Sequence, residues 1–340
     1  MINRLPHSLS TALPHTVTHR LRSKTSRRSE ILIVTGYDYF LNKFDLQILL
    51  RRYCEIILVP KAVGDDSLLN ETVRPLLRAH SQIHLVTNPH HDQQHHIVYE
   101  LVVRKNKAIR VTTVYDFCER DLRKLYVPET YQQSGIQSTS LGRPFGPGVL
   151  AIKKFLDIAL STGLLLVSSP LWLLSAYRIR SESPGPVFYH QDRLGRGESE
   201  FKCLKFRSMR LDAEANGAAF SRRHDKRVFR FGALMRAWRI DELPQLLNVL
   251  RGDISLIGPR PERRVFTETF EEYIPYYATR HVVKPGITGY AQIRYSYGTG
   301  VNDARHKLMY DLYYIKNWSV ALELRIILET VVTMATKKGW

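Results

Sequence analysis

Two adjacent carboxylates, Asp241 and Glu242, stand in a basic stretch of the chain. Arg236 and Arg239 precede them, and Arg251-Gly252-Asp253-Ile254-Ser255-Leu256-Ile257-Gly258-Pro259-Arg260-Pro261-Glu262-Arg263 follows. A carboxylate pair among arginines can divide labour on a phosphate ester: one acid attacks phosphorus, and its neighbour holds a divalent cation that neutralises the pyrophosphate. Hard oxygen ligands working beside phosphates point to Mg²⁺. The prolines flanking Arg260 stiffen its backbone, and a planar, permanently charged guanidinium grips phosphate oxygens bidentately. The plainer reading of the acids is helix capping, worth about 1 kcal/mol, which the cationic setting weighs against.

The elements that must position this chemistry are legible nearby. Ile240–Leu250 reads as a helix opening at Asp241, with Leu243, Leu246, Leu247 and Leu250 on one face and Gly252 as its stop. Phe155–Tyr177 is the most apolar stretch, with Asp157 as its only charge, Lys153 and Lys154 before it, and Arg178 and Arg180 after it. Its length suffices to span a bilayer. However, Ser169-Pro170 lies at its centre, where proline breaks or kinks a helix, and both flanks are basic. A re-entrant helix-break-helix over residues 155–177, entering and leaving by the same face, satisfies both features, the serine hydroxyls bonding backbone groups left free at the break. A buried core helix is the alternative.

Ahead of this lie residues 1–29, a basic arm expected to be disordered, whose Arg- and Ser-rich composition also fits a transit peptide. Residues 30–127 alternate short apolar runs (Ile31–Val34, Ile56–Val59, Ile83–Val86, Ile109–Val111) with helical segments around Phe44–Tyr53 and Leu68–Leu77. That pattern predicts a small α/β domain with a parallel sheet. A single glycine after the first strand supplies no GxGxxG cradle, so the domain is at most a degenerate Rossmann-like unit. His90, His91, His95 and His96 have helical metal-ligand spacing, but Pro89 and the polar surroundings place them in an exposed loop. Residues 128–149, ending Gly142-Arg143-Pro144-Phe145-Gly146-Pro147-Gly148, read as a linker without regular structure, which leaves 150–340 as the catalytic domain. The net charge of +18 calls for a polyanionic neighbour: nucleic acid, an anionic membrane surface or a phosphorylated substrate. Three cysteines without CxxC spacing exclude a disulfide scaffold or a cysteine-rich zinc module.

Several blocks occur in an order that resembles the bacterial sugar transferases, the monotopic polyprenyl-phosphate phosphoglycosyl transferases. They are Phe155–Tyr177 with its Ser-Pro break, Ser183-Pro184-Gly185-Pro186-Val187-Phe188, Lys205-Phe206-Arg207-Ser208-Met209, Asp241-Glu242-Leu243-Pro244-Gln245, Gly252-Asp253-Ile254-Ser255, Gly258-Pro259-Arg260-Pro261-Glu262, Lys284-Pro285-Gly286-Ile287-Thr288-Gly289 and Tyr314-Ile315-Lys316-Asn317-Trp318-Ser319. The resemblance implies an α+β membrane-associated domain that transfers a sugar-1-phosphate from a nucleotide sugar, usually a UDP-sugar, to undecaprenyl phosphate. It implies Asp241 as nucleophile through an aspartyl-phosphosugar and Glu242 as the Mg²⁺ ligand. Lys205, Arg207, Arg236 and Arg260 would face phosphates or the nucleotide, with Asp311 an acid near the active site. The expected location is the bacterial inner membrane, with the catalytic domain on the cytoplasmic face; a homo-oligomer is compatible with it. Exopolysaccharide, capsule, O-antigen or glycoprotein assembly are the pathways such enzymes begin. Two features depart from the family: no segment in residues 1–150 is long and apolar enough to span, and Trp238-Arg239 stands where small hydroxyl residues are common.

Two further stretches keep two readings each. The Lys284–Gly289 turn either offers backbone N–H groups to an anion or is a loop corner. In Trp318–Met334, Val320, Leu324, Ile327, Leu328 and Val331 share one helical face, with Glu323, Arg325 and Glu329 on the wet side, so the helix lies in the membrane interface or packs on the core. A basic nucleic-acid-binding protein and a catalytically idle membrane scaffold are the rival functions. The first lacks any helix-turn-helix, RNP or zinc-finger spacing, and the intact Asp241-Glu242 pair and Arg260 argue against the second.

Overall fold

The computed structural model describes residues 19–23, 30–37, 40–60, 82–88, 109–128, 145–213, 225–295, 298 and 300–335. The chain divides into two units, Met1–Ile136 and Gln137–Trp340.

The first unit is built on a five-stranded sheet of β1 (His19–Arg22), β2 (Glu30–Tyr37), β3 (Glu55–Pro60), β4 (Gln82–Thr87) and β5 (Ile109–Thr113), in the order β1-β3-β2-β4-β5. The four strands read from the sequence run parallel, in a register that pairs Ile33 with Ile57 and Leu85. Ile31, Ile33, Ile57, Val59, Ile83 and Leu85 form the core, because strands covered on both faces are apolar throughout rather than alternating. Helix α1 (Lys43–Arg52) connects β2 to β3 and is fixed by a capping box between Asn42 and Asp45. Part of the basic arm is ordered, contrary to expectation: β1 adds antiparallel to the open edge of β3, and Arg22 pairs with Glu55 at 3.2 Å. Charged side chains such as Arg20 and Arg22 are well suited to an edge strand. After β5, a short helix α2 (Val114–Phe117) continues into a π turn, and the buried Lys124 ammonium beyond it meets Asp45 and the Phe40 carbonyl. The helix expected at Leu68–Leu77 and the four histidines at 90–96 lie outside the described residues.

The second unit opens with α3 (Pro147–Glu182), a helix of 36 residues and thus about 54 Å of backbone path. It begins inside the stretch read as linker, since Gly146 takes the N-cap and Pro147 the first turn, where a missing N–H costs nothing. The expected break at Ser169-Pro170 is absent. Helical backbone continues through Pro170, and the Leu166 carbonyl, which loses its usual donor there, accepts the Ser169 hydroxyl at 2.8 Å instead. The hydroxyl thus compensates the proline within an unbroken helix.

The outward face of α3 decides its environment. Lys153, Asp157, Ser161, Ser175 and Ile179 are buried, whereas Phe155, Val167 and Leu173 are 71%, 82% and 76% exposed. A core helix buries its apolar side chains; this one buries mostly polar or small ones and presents Leu164, Leu166, Leu174 and Tyr177 outward. Both flanks rest on the same unit. Near the start, Lys153 pairs with Glu323 and Asp157 accepts the Leu256 N–H at 2.9 Å. Near the end, Ile179 joins Val187, Phe206, Phe229, Phe231 and Met235 in a core cluster.

The remaining elements are β6 (Phe188–Leu194) and β7 (Glu200–Phe206), an antiparallel hairpin; α4 (Arg230–Ala237); α5 (Gln245–Arg251); β8 (Ser255–Ile257); α6 (Arg264–Tyr273); β9 (Gly286–Thr288), parallel to β8; α7 (Tyr290–Arg294); the largely buried α8 (Val301–Lys316); and α9 (Val320–Ala335). Helix α9 reverses part of its expected orientation. Glu323, read as wet, is buried, its Oε1 taken by Lys153, the Tyr314 hydroxyl at 2.7 Å and Trp318 Nε1 at 2.8 Å. Leu324, Leu328, Val331 and Val332 are exposed, with Arg325 beside them. Buried cations and hydroxyls from α3 and α8 satisfy the carboxylate, which leaves the apolar face for the outside.

Candidate active site

Asp241 and Glu242 lie on a single 3-10 turn, Ile240–Glu242, between α4 and α5. The chain enters it through Arg239 at φ 56°, ψ 20°, a left-handed conformation uncommon for a side-chain-bearing residue. The following helix starts later than its sequence suggests, at Gln245, and ends on Gly252 at φ 87°. Neither carboxylate caps a helix: Pro244 occupies the N-cap of α5, and no side-chain cap bond is made there. Leu246 and Val249 turn inward with Gln245 and Asn248, while Leu250 is exposed.

Both acids are buried, and their surroundings differ. Glu242 Oε1 is 2.5 Å from Arg260 Nη2, 3.7 Å from Lys205 Nζ and 3.6 Å from Arg239 Nη1. Burial opposes its charge, but these cations, Arg260 foremost, outweigh burial and hold it far below the usual carboxylate range. Asp241 is raised, by burial first and by Glu242 second, against Lys205, Arg236 and Arg239. Asp241 Oδ1 is buried without a hydrogen-bond partner. One acid is therefore fixed as an anion inside a cationic cage, and the other is a more basic carboxylate with an oxygen free to react.

Three surrounding elements fix this arrangement. Lys205 comes from β7, and its ammonium is lowered by burial although Glu242 works the other way. Asn248 links that strand to α5: its Oδ1 accepts the Leu204 N–H, and its Nδ2 donates to the Lys202 carbonyl and to Asp253, each at 2.9 Å. Arg236, on α4, is lowered by burial and raised in turn by Asp241.

Arg260 sits on a segment whose carbonyls are clamped one after another. Pro259 O accepts from Gly286 N at 2.9 Å, Arg260 O from Arg280 Nη2 at 3.0 Å, Pro261 O from Arg193 Nη1 at 2.7 Å and Glu262 O from Leu194 N at 3.0 Å. Two prolines deprive the segment of donors for regular structure, so donors from four other sites hold it. Gly286 accordingly serves strand pairing rather than an anion. A side chain there would strike Gly258 N at 2.1 Å, which is why glycines recur in both blocks.

The other two predicted residues lie elsewhere. Arg207 is buried, and its guanidinium donates to Ser183 Oγ at 2.9 Å and to the Ser183 and Pro184 carbonyls, clamping the chain as it leaves α3. Among the described residues its hydrogen bonds run to Ser183 and Pro184 and not to either carboxylate. Asp311, on α8, accepts Arg280 Nη2 at 2.7 Å and stands behind Arg260 rather than beside the pair. Burial pushes it up to about 6 against the pull of Arg280, so it is ionised at neutral pH. Arg280, Arg193 and Asn248 were not singled out by sequence, because each acts through backbone carbonyls or amides that no short motif encodes.

A model of the bacterial sugar transferases matches residues 149–337, more than half of the chain. The chain belongs to the bacterial sugar transferase family. It is 47% identical over 188 residues to a UDP-N-acetylgalactosamine-undecaprenyl-phosphate N-acetylgalactosaminephosphotransferase of Aeromonas hydrophila, an alignment covering 55% of this chain and 44% of that protein. It is 42% identical over 200 residues to a UDP-glucose:undecaprenyl-phosphate glucose-1-phosphate transferase of Caulobacter vibrioides, covering 57% and 75%. A third relative, the exopolysaccharide production protein PSS of Rhizobium leguminosarum bv. phaseoli, is 42% identical over 198 residues, covering 56% and 99%. The chain thus spans less than half of the Aeromonas protein and nearly all of the Rhizobium one. The matched residues are those of the sugar transferase unit, which contains Asp241, Glu242 and the clamped Arg260 segment.

Proposed function

We propose that the protein transfers a sugar-1-phosphate from a UDP-sugar to undecaprenyl phosphate at the cytoplasmic face of the bacterial inner membrane, releasing UMP. The observation that carries this reading is the division between the two acids, with Asp241 Oδ1 buried and unpartnered beside a Glu242 held by three cations. Asp241 attacks the β-phosphorus of the nucleotide sugar; the bond from that phosphorus to the bridging oxygen breaks, and UMP leaves with the electron pair. The undecaprenyl phosphate oxygen then attacks the same phosphorus, the aspartyl-phosphate bond breaks, and the Asp241 carboxylate is restored. Arg260, Lys205, Arg236 and Arg239 bring positive charge to the diphosphate, fixed in place before reaction by the clamps described above.

The donor set fits a hard divalent cation, because Asp241 Oδ1 lacks a partner and the ion pairs of Glu242 among the described residues all run through its Oε1. Glu242 would hold Mg²⁺, which when bound supplies charge neutralisation of the departing nucleotide. The exposed apolar faces of α3 and α9 meet lipid in this reading, so the polyprenyl tail stays in the bilayer while its phosphate reaches the pair. The protein commits the first sugar of an exopolysaccharide or related glycan.

Incubation with a UDP-hexose panel and Mg²⁺ is expected to release UMP and to leave a phosphosugar on the protein, visible as a mass increment of the intact chain. An unmodified protein and no UMP across the panel would exclude the reaction. Topology has its own test, because both flanks of α3 rest on one unit. Single cysteines at Lys154 and Arg178, in a background without Cys54, are expected to react with an impermeant maleimide from the same side of a vesicle. Labelling from opposite sides would show that α3 crosses the bilayer.

A further inference from the structure

Glu198, Glu271 and His281 bring one ligand atom each to a single spot, all within 4.8 Å of one another. Glu198 comes from the turn between β6 and β7, Glu271 from α6 and His281 from the 3-10 turn Tyr277–Val282. Scattered over more than eighty residues, they form no motif that a sequence displays. His281 is 7% exposed and its Nδ1 has no hydrogen-bond partner; Glu271 Oε1 is likewise buried and unpartnered. A buried polar atom left without a partner is costly, and two such atoms share this one spot. His281 Nδ1 lies 3.6 Å from Glu198 Oε1. At that separation the two atoms are beyond hydrogen-bond distance. The Glu198 and Glu271 carboxylates face each other across this spot. Glu198 is held there at φ 61°, immediately after Gly197 at the same φ.

We propose that Glu198, Glu271 and His281 form a binding site for a divalent transition-metal ion of the Zn²⁺ class, separate from the Asp241–Glu242 pair. One imidazole and two carboxylates are a donor set suited to such an ion, whereas Mg²⁺ and Ca²⁺ prefer oxygen alone. The ion relieves the repulsion between the carboxylates and satisfies both orphaned atoms. It joins the β6–β7 turn and α6 to the turn bearing Arg280, the residue that holds the Arg260 carbonyl, so its role is to brace that loop. The assignment does not depend on the transferase reading.

The test uses the full chain in detergent, stripped with chelator, with His90, His91, His95 and His96 replaced by alanine in every arm so that their imidazoles do not compete. Zn²⁺ itself is the probe, followed by equilibrium dialysis and metal analysis. One equivalent is expected, retained in Glu242→Ala and in excess Mg²⁺, with affinity at least about tenfold weaker in both His281→Gln and Glu198→Gln. Glu198 is partly exposed, so its variant keeps the test decisive where loss of His281 disturbs folding. The assignment is overturned if the stripped protein retains no Zn²⁺, if Glu242→Ala or Mg²⁺ removes it, or if Glu198→Gln binds as tightly as the parent.

Discussion

Asp241→Asn is expected to abolish the covalent phosphosugar and to lower UMP release by at least about 10⁴-fold, the scale on which removal of a nucleophile acts. The amide has nearly the same shape as the carboxylate but lacks the electron pair needed to displace UMP. The fold should persist. Burial and Glu242 raise Asp241, so the folded state binds that proton more tightly than the unfolded chain does. Its contribution to stability therefore falls as pH rises from the unfolded value through the folded one. A neutral amide carries no such penalty, and the variant should melt at or above the parent temperature at pH 7. Intact mass and melting measured on one preparation decide the matter: a phosphosugar still attached to the Asn variant, or mapped to Glu242, would reassign the nucleophile.

The second large effect is expected at Arg280, which donates to Asp311, to the Tyr277 hydroxyl and to the Arg260 carbonyl. Arg280→Met leaves Asp311 buried without its cation, so that it must either stay charged and unpaired or take up a proton, and should cost roughly 3–5 kcal/mol in denaturant unfolding. The double variant Arg280→Met/Asp311→Leu removes both charges and should recover much of that stability. Turnover should remain depressed in both, because neither restores the donor to Arg260, whose guanidinium holds Glu242. If the double variant regains full turnover together with stability, Arg280 serves the fold alone and does not position Arg260.

The chemistry-bearing residues were largely legible in the sequence because they are close neighbours: Asp241-Glu242, the proline-flanked Arg260 and the apolar run of α3 announce themselves locally. The parallel strands of the first unit were legible for the same reason, since a strand covered on both faces writes its burial into consecutive residues. Arg207 and Arg260 could not be separated that way. Both are arginines in basic blocks, yet the fold closes one on Ser183 and Pro184 and aims the other at Glu242. Glu323 shows the same limit from the other side: its helical spacing placed it in solvent, and partners from two other helices placed it inside.

The order of charges, the apolar length of α3 and the adjacency of two acids in an arginine-rich stretch belong to the sequence itself. The tertiary structure decided that the helix runs through Pro170, because Ser169 supplies the bond the proline withholds. It also decided which acid is caged and which is left with a bare oxygen, because desolvation and the distance to a cation are set by what stands across from a residue, and a linear pattern records only what stands beside it.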